Sequence, residues 1–121
     1  MFPNLFKPLD PGPVTLPNRI CFLGHRTHFN RNEKLYNRYL NYYLRRARGV
    51  CGLIILGELS IHNSDRPREC IINVLHPGAI DDFSNFTDKI NFFDITVGTF
   101  FNRGFRTVLF GLFNFQPMKN S

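Results

Sequence analysis

The sequence has no tryptophan, two methionines and three cysteines among 121 residues. The missing tryptophan excludes nothing by itself. Cys21, Cys51 and Cys70 are odd in number and show no CxxC spacing, which argues against a disulfide framework. Cys21 and Cys51 lie inside apolar runs, where cysteine behaves as a small hydrophobe. No apolar stretch reaches the roughly 20 residues that a membrane-spanning helix needs. The start, MFPNLFKPLD, has neither the basic leader nor the apolar core of a signal peptide. Neither GxGxxG nor GxxxxGKS/T occurs, so a dinucleotide-binding or P-loop fold has no motif behind it. A cytoplasmic, reducing location without membrane association is the expectation.

Acidic residues are scarce in the first half. Residues 1–50 hold nine Lys/Arg against Asp10 and Glu33, and residues 51–121 hold six against seven acids. The net charge of +6 therefore sits in the first part. Such a segment can meet an anionic cofactor or nucleic acid, and its plain reading is a solvated helix face. Phenylalanine is abundant instead, and ten of the 14 lie between Phe83 and Phe115. The length allows one small domain with a real core. It is too short for a complete (β/α)8 barrel, which needs roughly 250 residues.

Prolines and glycines punctuate residues 1–17 and exclude a helix there. Pro13-Val14-Thr15-Leu16 reads as a short edge strand after the turn Asp10-Pro11-Gly12. Ile20-Cys21-Phe22-Leu23 is a continuous apolar run, as in strands buried on both faces. Glu33 to Arg48 predicts a helix, with Tyr36, Leu40, Tyr43 and Ala47 as its apolar stripe. Arg45, Arg46 and Arg48 crowd its last turn, and Gly49 stands at the C-terminal cap position. Val50–Leu56 (VCGLIIL) reads as a second buried strand. Residues 60–79 form a long loop, a length that often carries function. Ile80 to Asn91 predicts a second helix, with Ile80, Phe83, Thr87 and Ile90 on one face. Ile95–Phe101 reads as a third strand. Asn102 to Ser121 is irregular, with Val108-Leu109-Phe110 as an extended candidate. This alternation implies βαβ units around a parallel sheet, whose ligands bind beyond the carboxyl ends of the strands.

Leu5-Phe6-Lys7-Pro8-Leu9, Gly12-Pro13-Val14-Thr15-Leu16 and Asn18-Arg19-Ile20 resemble the start of the old yellow enzyme / 2,4-dienoyl-CoA reductase-like NADH:flavin oxidoreductase family. Tyr42-Tyr43, Arg45-Arg46-Ala47-Arg48-Gly49, Gly52-Leu53-Ile54-Ile55 and Gly57-Glu58-Leu59 resemble the family's first helix and second strand. The segment Leu23–Thr27, His62 and Ser64-Asp65-Arg66-Pro67 are similar to the 2,4-dienoyl-CoA-reductase-like branch, which includes mycofactocin-linked members. The resemblance is strong over residues 2–83 and weak over 84–121. It implies an α/β fold, a partial (β/α)8 TIM barrel with an N-terminal hairpin and the first two to three βα units. Residues 1–121 would then be the N-terminal portion of an FMN-binding oxidoreductase domain.

The resemblance also implies a site. Gly24, His25, Arg26 and Thr27 follow the first strand, where the family contacts the ring of FMN. Gly57 ends the second strand, where a small residue lets the ring approach, and Glu58 is beside it. The family's third strand usually reads Gln-Leu-x-His-x-Gly. Aligned on Gly104, Thr99 takes the glutamine position and Asn102 the histidine position. A threonine hydroxyl cannot reproduce the two-sided pattern of an amide. The implied reaction passes hydride from NAD(P)H through FMN to an activated C=C bond. Catalytic residues of the family come from later strands, so none is assigned here. An iron–sulfur cluster is not expected, since the cysteine cluster of longer members is missing.

Other readings stay open at this point. His25 and His28 have an i, i+3 spacing, yet no cysteine or carboxylate adjoins them, so no metal site is expected. Glu58 reads equally as an acid of the site or as a partner of Arg26 or Arg66. Asp65 and Glu69 can pair with Arg66 and Arg68 as surface ion pairs of small effect. The helix tyrosines read as core, so a nucleic-acid partner is not expected. The expected partners are flavin and either a second copy or the remainder of a barrel. The alternatives are a small basic binding module and a non-functional truncated product.

Overall fold

The proline-rich opening turns back on itself. In a computed structural model, which describes residues 1–12, 14–30, 37–60, 72–93, 95–102 and 108–113, Leu9 and Leu16 form an antiparallel bridge. Their backbones exchange hydrogen bonds of 3.1 and 2.8 Å. Thr15 Oγ1 donates to Asp10 Oδ1 across the turn at 2.6 Å. The expected edge strand is reduced to this one bridge, since proline carries no N–H for a ladder.

The chain continues as β1 (Cys21–Phe22), α1 (Asn37–Ala47), β2 (Leu53–Ser60), β3 (Ile72–Asn73), α2 (Ala79–Asn91), β4 (Thr96–Asn102) and β5 (Val108–Phe113). β1 pairs with β2 and β2 with β4, all in parallel. The three expected strands and two expected helices are thus in place, and the architecture is the partial α/β barrel anticipated from the sequence. β3 pairs in parallel with the far end of β2, Leu59 opposite Ile72. β4 already occupies one edge of β2 there, so β3 takes the edge that β1 uses lower down.

Local chemistry sets the boundaries. The second strand begins at Leu53 rather than Val50. Val50 is held in a left-handed turn (φ 74°), which breaks the extended backbone a strand needs, while Gly52 passes close over Asn18 and bonds Ile20 and Thr96 on either side. A Cβ on Gly52 would stand 2.8 Å from Asn18 Oδ1. Residues 33–36, the predicted first turn of helix one, lie outside the described residues. So do residues 61–71, which carry His62, Asp65, Arg66, Arg68 and Glu69.

Both helices cover one face of the sheet. Tyr39, Tyr43 and Ala47 of α1 and Phe86 and Ile90 of α2 meet Ile54, Leu56, Leu59 and Val97 in a single cluster. Burying each of the Ile, Leu, Val and Phe side chains contributes about 1.5–3 kcal/mol. Two sequence expectations need correction. Tyr39 leads the buried stripe of α1, while Leu40 is only half-buried. On α2, Phe86 is buried and Ile80 is 82% exposed. The 3.6-residue period admits neighbouring stripes, and the sheet selects between them.

The tail, expected irregular with Val108-Leu109-Phe110 extended, is more regular than that. Val108–Phe113 is a strand, antiparallel to β4, with Phe100 opposite Phe110. The sheet order is β1-β2-β4-β5. Among the described residues, no helix is long and apolar enough to cross a membrane.

Candidate functional site

At the carboxyl end of the sheet, the segment after β1 runs close along β2 past Leu56 and Gly57. A Cβ at Gly24 would stand 2.5 Å from the Leu56 carbonyl oxygen. One at Gly57 would stand 2.7 Å from the His25 carbonyl oxygen. Only glycine permits so close a passage of two backbones. Four of the residues singled out by resemblance, Gly24, His25, Gly57 and the adjoining Glu58, are thereby brought together. The missing Cβ of Gly57 makes room for the His25 carbonyl, a packing reason for glycine at this position.

The His25 side chain leans on α1. Its Nε2 lies 2.7 Å from the Tyr42 hydroxyl. Its ring meets Tyr42 and Phe22 edge-on, at centroid distances of 5.5 and 5.8 Å. The Arg46 guanidinium covers the Tyr42 ring at 3.5 Å, and Nη1 donates to the Tyr42 carbonyl at 3.0 Å. Arg38 covers Phe29 at 4.2 Å. Cation–aromatic stacking of this kind is worth about 0.5–1 kcal/mol at exposed sites. Arg26 is exposed, and Thr27 Oγ1 accepts from the Phe29 N–H at 3.4 Å. The loop around His25 is therefore tethered to the helix through aromatic and cationic contacts.

β2 carries a bulge at this end. Leu56 faces Thr99, but the next pair is Leu59 with Phe101, so β2 holds one residue more than β4. Gly57 and Glu58 fall in that gap. The Gly57 N–H donates to the Tyr43 hydroxyl at 3.1 Å, a contact from strand to buried helix side chain. Burial pushes the Tyr39 hydroxyl well above the ordinary tyrosine range, and Tyr43 beside it adds to the rise. Burial raises Tyr43 as well, against lowering by the neighbouring Tyr39 hydroxyl and by the Gly57 N–H. Both phenols keep their protons at neutral pH.

The structure describes Glu58 and Thr99 by backbone alone. Thr99 stands opposite Leu56 on one side and Gly111 on the other. It is thus placed one residue before the bulge, in the same band as Gly24 and Gly57. Tyr43 and Tyr39 were legible in the sequence only as core. The partner of a buried hydroxyl is set by tertiary packing, for which the sequence holds no signal.

Elsewhere, burial raises the thiols of Cys21 and Cys51, so neither is an activated nucleophile. No group of three His, Cys, Asp or Glu gathers at metal-binding distance among the described residues. An open concavity of about 550 Å³, lined by residues from Met1 to Leu5 and by Arg19, lies toward the amino end of the sheet. The described tyrosines of α1 are either buried or covered by Arg46, so none offers an open face for stacking a base.

No family profile matches the chain. Among curated proteins it is 32% identical over 93 residues to N,N-dimethylglycine/sarcosine dehydrogenase of Chromohalobacter salexigens, covering 74% of this chain and 13% of that protein. It is 28% identical over 96 residues to bilirubin reductase of Mediterraneibacter gnavus, covering 78% and 14%. The chain therefore spans only 13–14% of the length of these relatives. Among solved structures, the old yellow enzyme from Trypanosoma cruzi superimposes with a TM-score of 0.72 at 22% identity, over 81% of this chain and 26% of that one. Morphinone reductase gives 0.71 at 21%, over 80% and 26%. A 2-naphthoyl-CoA reductase complex gives 0.74 at 20%, over 80% and 15%. These likenesses share one fold, and the opening motifs run through the same stretch. Over the part that holds the first three parallel strands, the chain has the fold of the old yellow enzymes.

Proposed function

We propose that residues 1–121 form part of an FMN-binding oxidoreductase barrel, the part that contacts one edge of the flavin. Bound FMN would supply hydride transfer from NAD(P)H to an activated C=C bond. The observation that carries this reading is the mutual passage of Gly24-His25 and Leu56-Gly57 at the carboxyl end of a parallel sheet. The residues present fit such a group along one edge. Gly24 to Thr27 form an accessible rim, with His25 and Arg26 exposed. Gly57, Glu58 and Thr99 stand in the neighbouring band. Arg26 adds positive charge, suited to an anionic cofactor. The cofactor and a second copy or further barrel strands are the proposed partners, and the cytoplasm the proposed location.

A chain spanning so small a share of its relatives holds part of such a site, so we expect little or no turnover from it alone. The test is an FMN titration of size-exclusion-resolved protein, followed by quenching of flavin fluorescence. Saturable quenching by a monomer or dimer supports the reading. A soluble, folded chain that leaves flavin fluorescence unchanged rules it out. A second reading, a basic binding module, draws on the acid-free α1 sequence with exposed Arg38 and Arg45. Salt-sensitive binding of an oligonucleotide would favour it.

A further inference from the structure

The contact between α1 and the β2 bulge joins three observations. The bulge places Gly57 and Glu58 where β2 and β4 lose register. The Gly57 N–H is taken by the Tyr43 hydroxyl at 3.1 Å. The same residue passes within touching distance of the His25 carbonyl. One peptide is therefore held from two sides, by a helix side chain and by the loop after β1.

Tyr43 is well placed to act as a fixed point. It is fully buried. Its ring packs against Tyr39 at 4.8 Å between centroids and against Phe86 at 6.0 Å. A hydroxyl carried on so confined a ring has one position, and it meets β2 where the register with β4 shifts. We infer that Tyr43 is a positioning residue for the candidate cofactor site: its hydroxyl latches the Gly57 peptide and fixes the carboxyl end of β2 against Gly24 and His25. The choice of ligand rests on the flavin reading, whereas the latch rests on geometry alone. α1 is thereby tied to the site twice, through Tyr43 to Gly57 and through Tyr42 to His25.

Tyr43→Phe separates the latch from the packing, because it keeps the ring and removes the acceptor. Amide hydrogen exchange, read residue by residue by NMR, reports Gly57 directly. We expect exchange at Gly57 to accelerate at least about tenfold in the variant, the scale of one lost buried hydrogen bond. Ile54 and Ile55 should keep their protection, which a general loss of stability would not allow. FMN affinity should weaken by roughly the same factor. Unchanged Gly57 exchange overturns the latch. Faster exchange with equal FMN affinity in both proteins overturns the positioning role. If the wild type takes up no FMN, the proposed function fails, and Gly57 exchange still decides the latch. The wild type alone supplies a further check, since a Gly57 amide exchanging as fast as exposed loop amides overturns the latch without any variant.

Discussion

Val50 holds a left-handed backbone, φ 74°, although its side chain branches at Cβ. Such a residue is a true outlier, because Cβ crowds the following carbonyl at a cost of about 1–2 kcal/mol. Asn18 is what holds it. Its Nδ2 donates to the Val50 carbonyl at 2.8 Å, while its Oδ1 accepts from the Ile20 N–H at 2.9 Å. The asparagine of the Asn-Arg pair that the resemblance marks as the start of the first strand thus has a physical task, stitching that start to the turn before β2. Val50 is 59% exposed, so little packing is lost when it is shortened. Val50→Gly should raise stability by about 0.5–1 kcal/mol, seen as a higher urea midpoint at constant slope. A lowered midpoint would mean that the valine side chain contributes more than its backbone strain removes. Gly24→Ala should act in the opposite sense. Its new Cβ meets backbone rather than a flexible side chain, which costs about 1–3 kcal/mol in overpacking. Thermal unfolding of Gly24→Ala at or above the wild-type temperature would contradict the close passage at the site.

At the scale of elements, the helices were legible and their inner faces were only half so. The i, i+4, i+7 pattern placed α1 correctly, and Tyr43 and Ala47 are buried as expected. Tyr39 entered the core because the sheet lies under the stripe Tyr39–Tyr43–Ala47, one residue round the helix from Leu40. Both stripes are apolar in the sequence, so periodicity could not choose. The Tyr39 hydroxyl gives this packing a pH signature. Burial raises its pKa well above the ordinary tyrosine value. In the unfolded chain the phenol ionises near pH 10, while in the fold it stays protonated. Stability from this group is thus complete below pH 10 and falls as pH climbs above it, by about 1.4 kcal/mol per unit for one group. Tyr43 and both described cysteines add to the slope in the same direction. Tyr39→Phe should flatten the alkaline fall measured by denaturant unfolding between about pH 9 and 11. An identical slope in the variant would place the phenol in water rather than in the core.

For the whole molecule, the parallel core of three strands was readable from apolar runs, glycines and motif order, and of the edge strand only Val108-Leu109-Phe110 was. Val108–Phe113 carries no charge and follows a Phe-rich stretch that matches neither strand alternation nor helix period. Its pairing is decided by what β4 leaves open. With β2 along one edge, β4 presents a row of N–H and C=O groups on the other. A parallel neighbour would continue the barrel, but β5 returns antiparallel and covers Val97 to Asn102. Short loops permit only this direction, since a parallel partner needs a crossover of about a dozen residues or more. β5 then becomes the new edge, apolar and uncharged, and such edges recruit further strands. The expected consequence is association that grows with protein concentration. Deleting residues 108–121 should make it worse, because it uncovers the longer β4 edge. Light scattering at matched concentration should rise sooner in the shortened chain, and its elution should move toward the void. A shortened chain that stays as monodisperse as the full one would show that β5 shields nothing, and that the β4 edge is covered by some other part of the molecule.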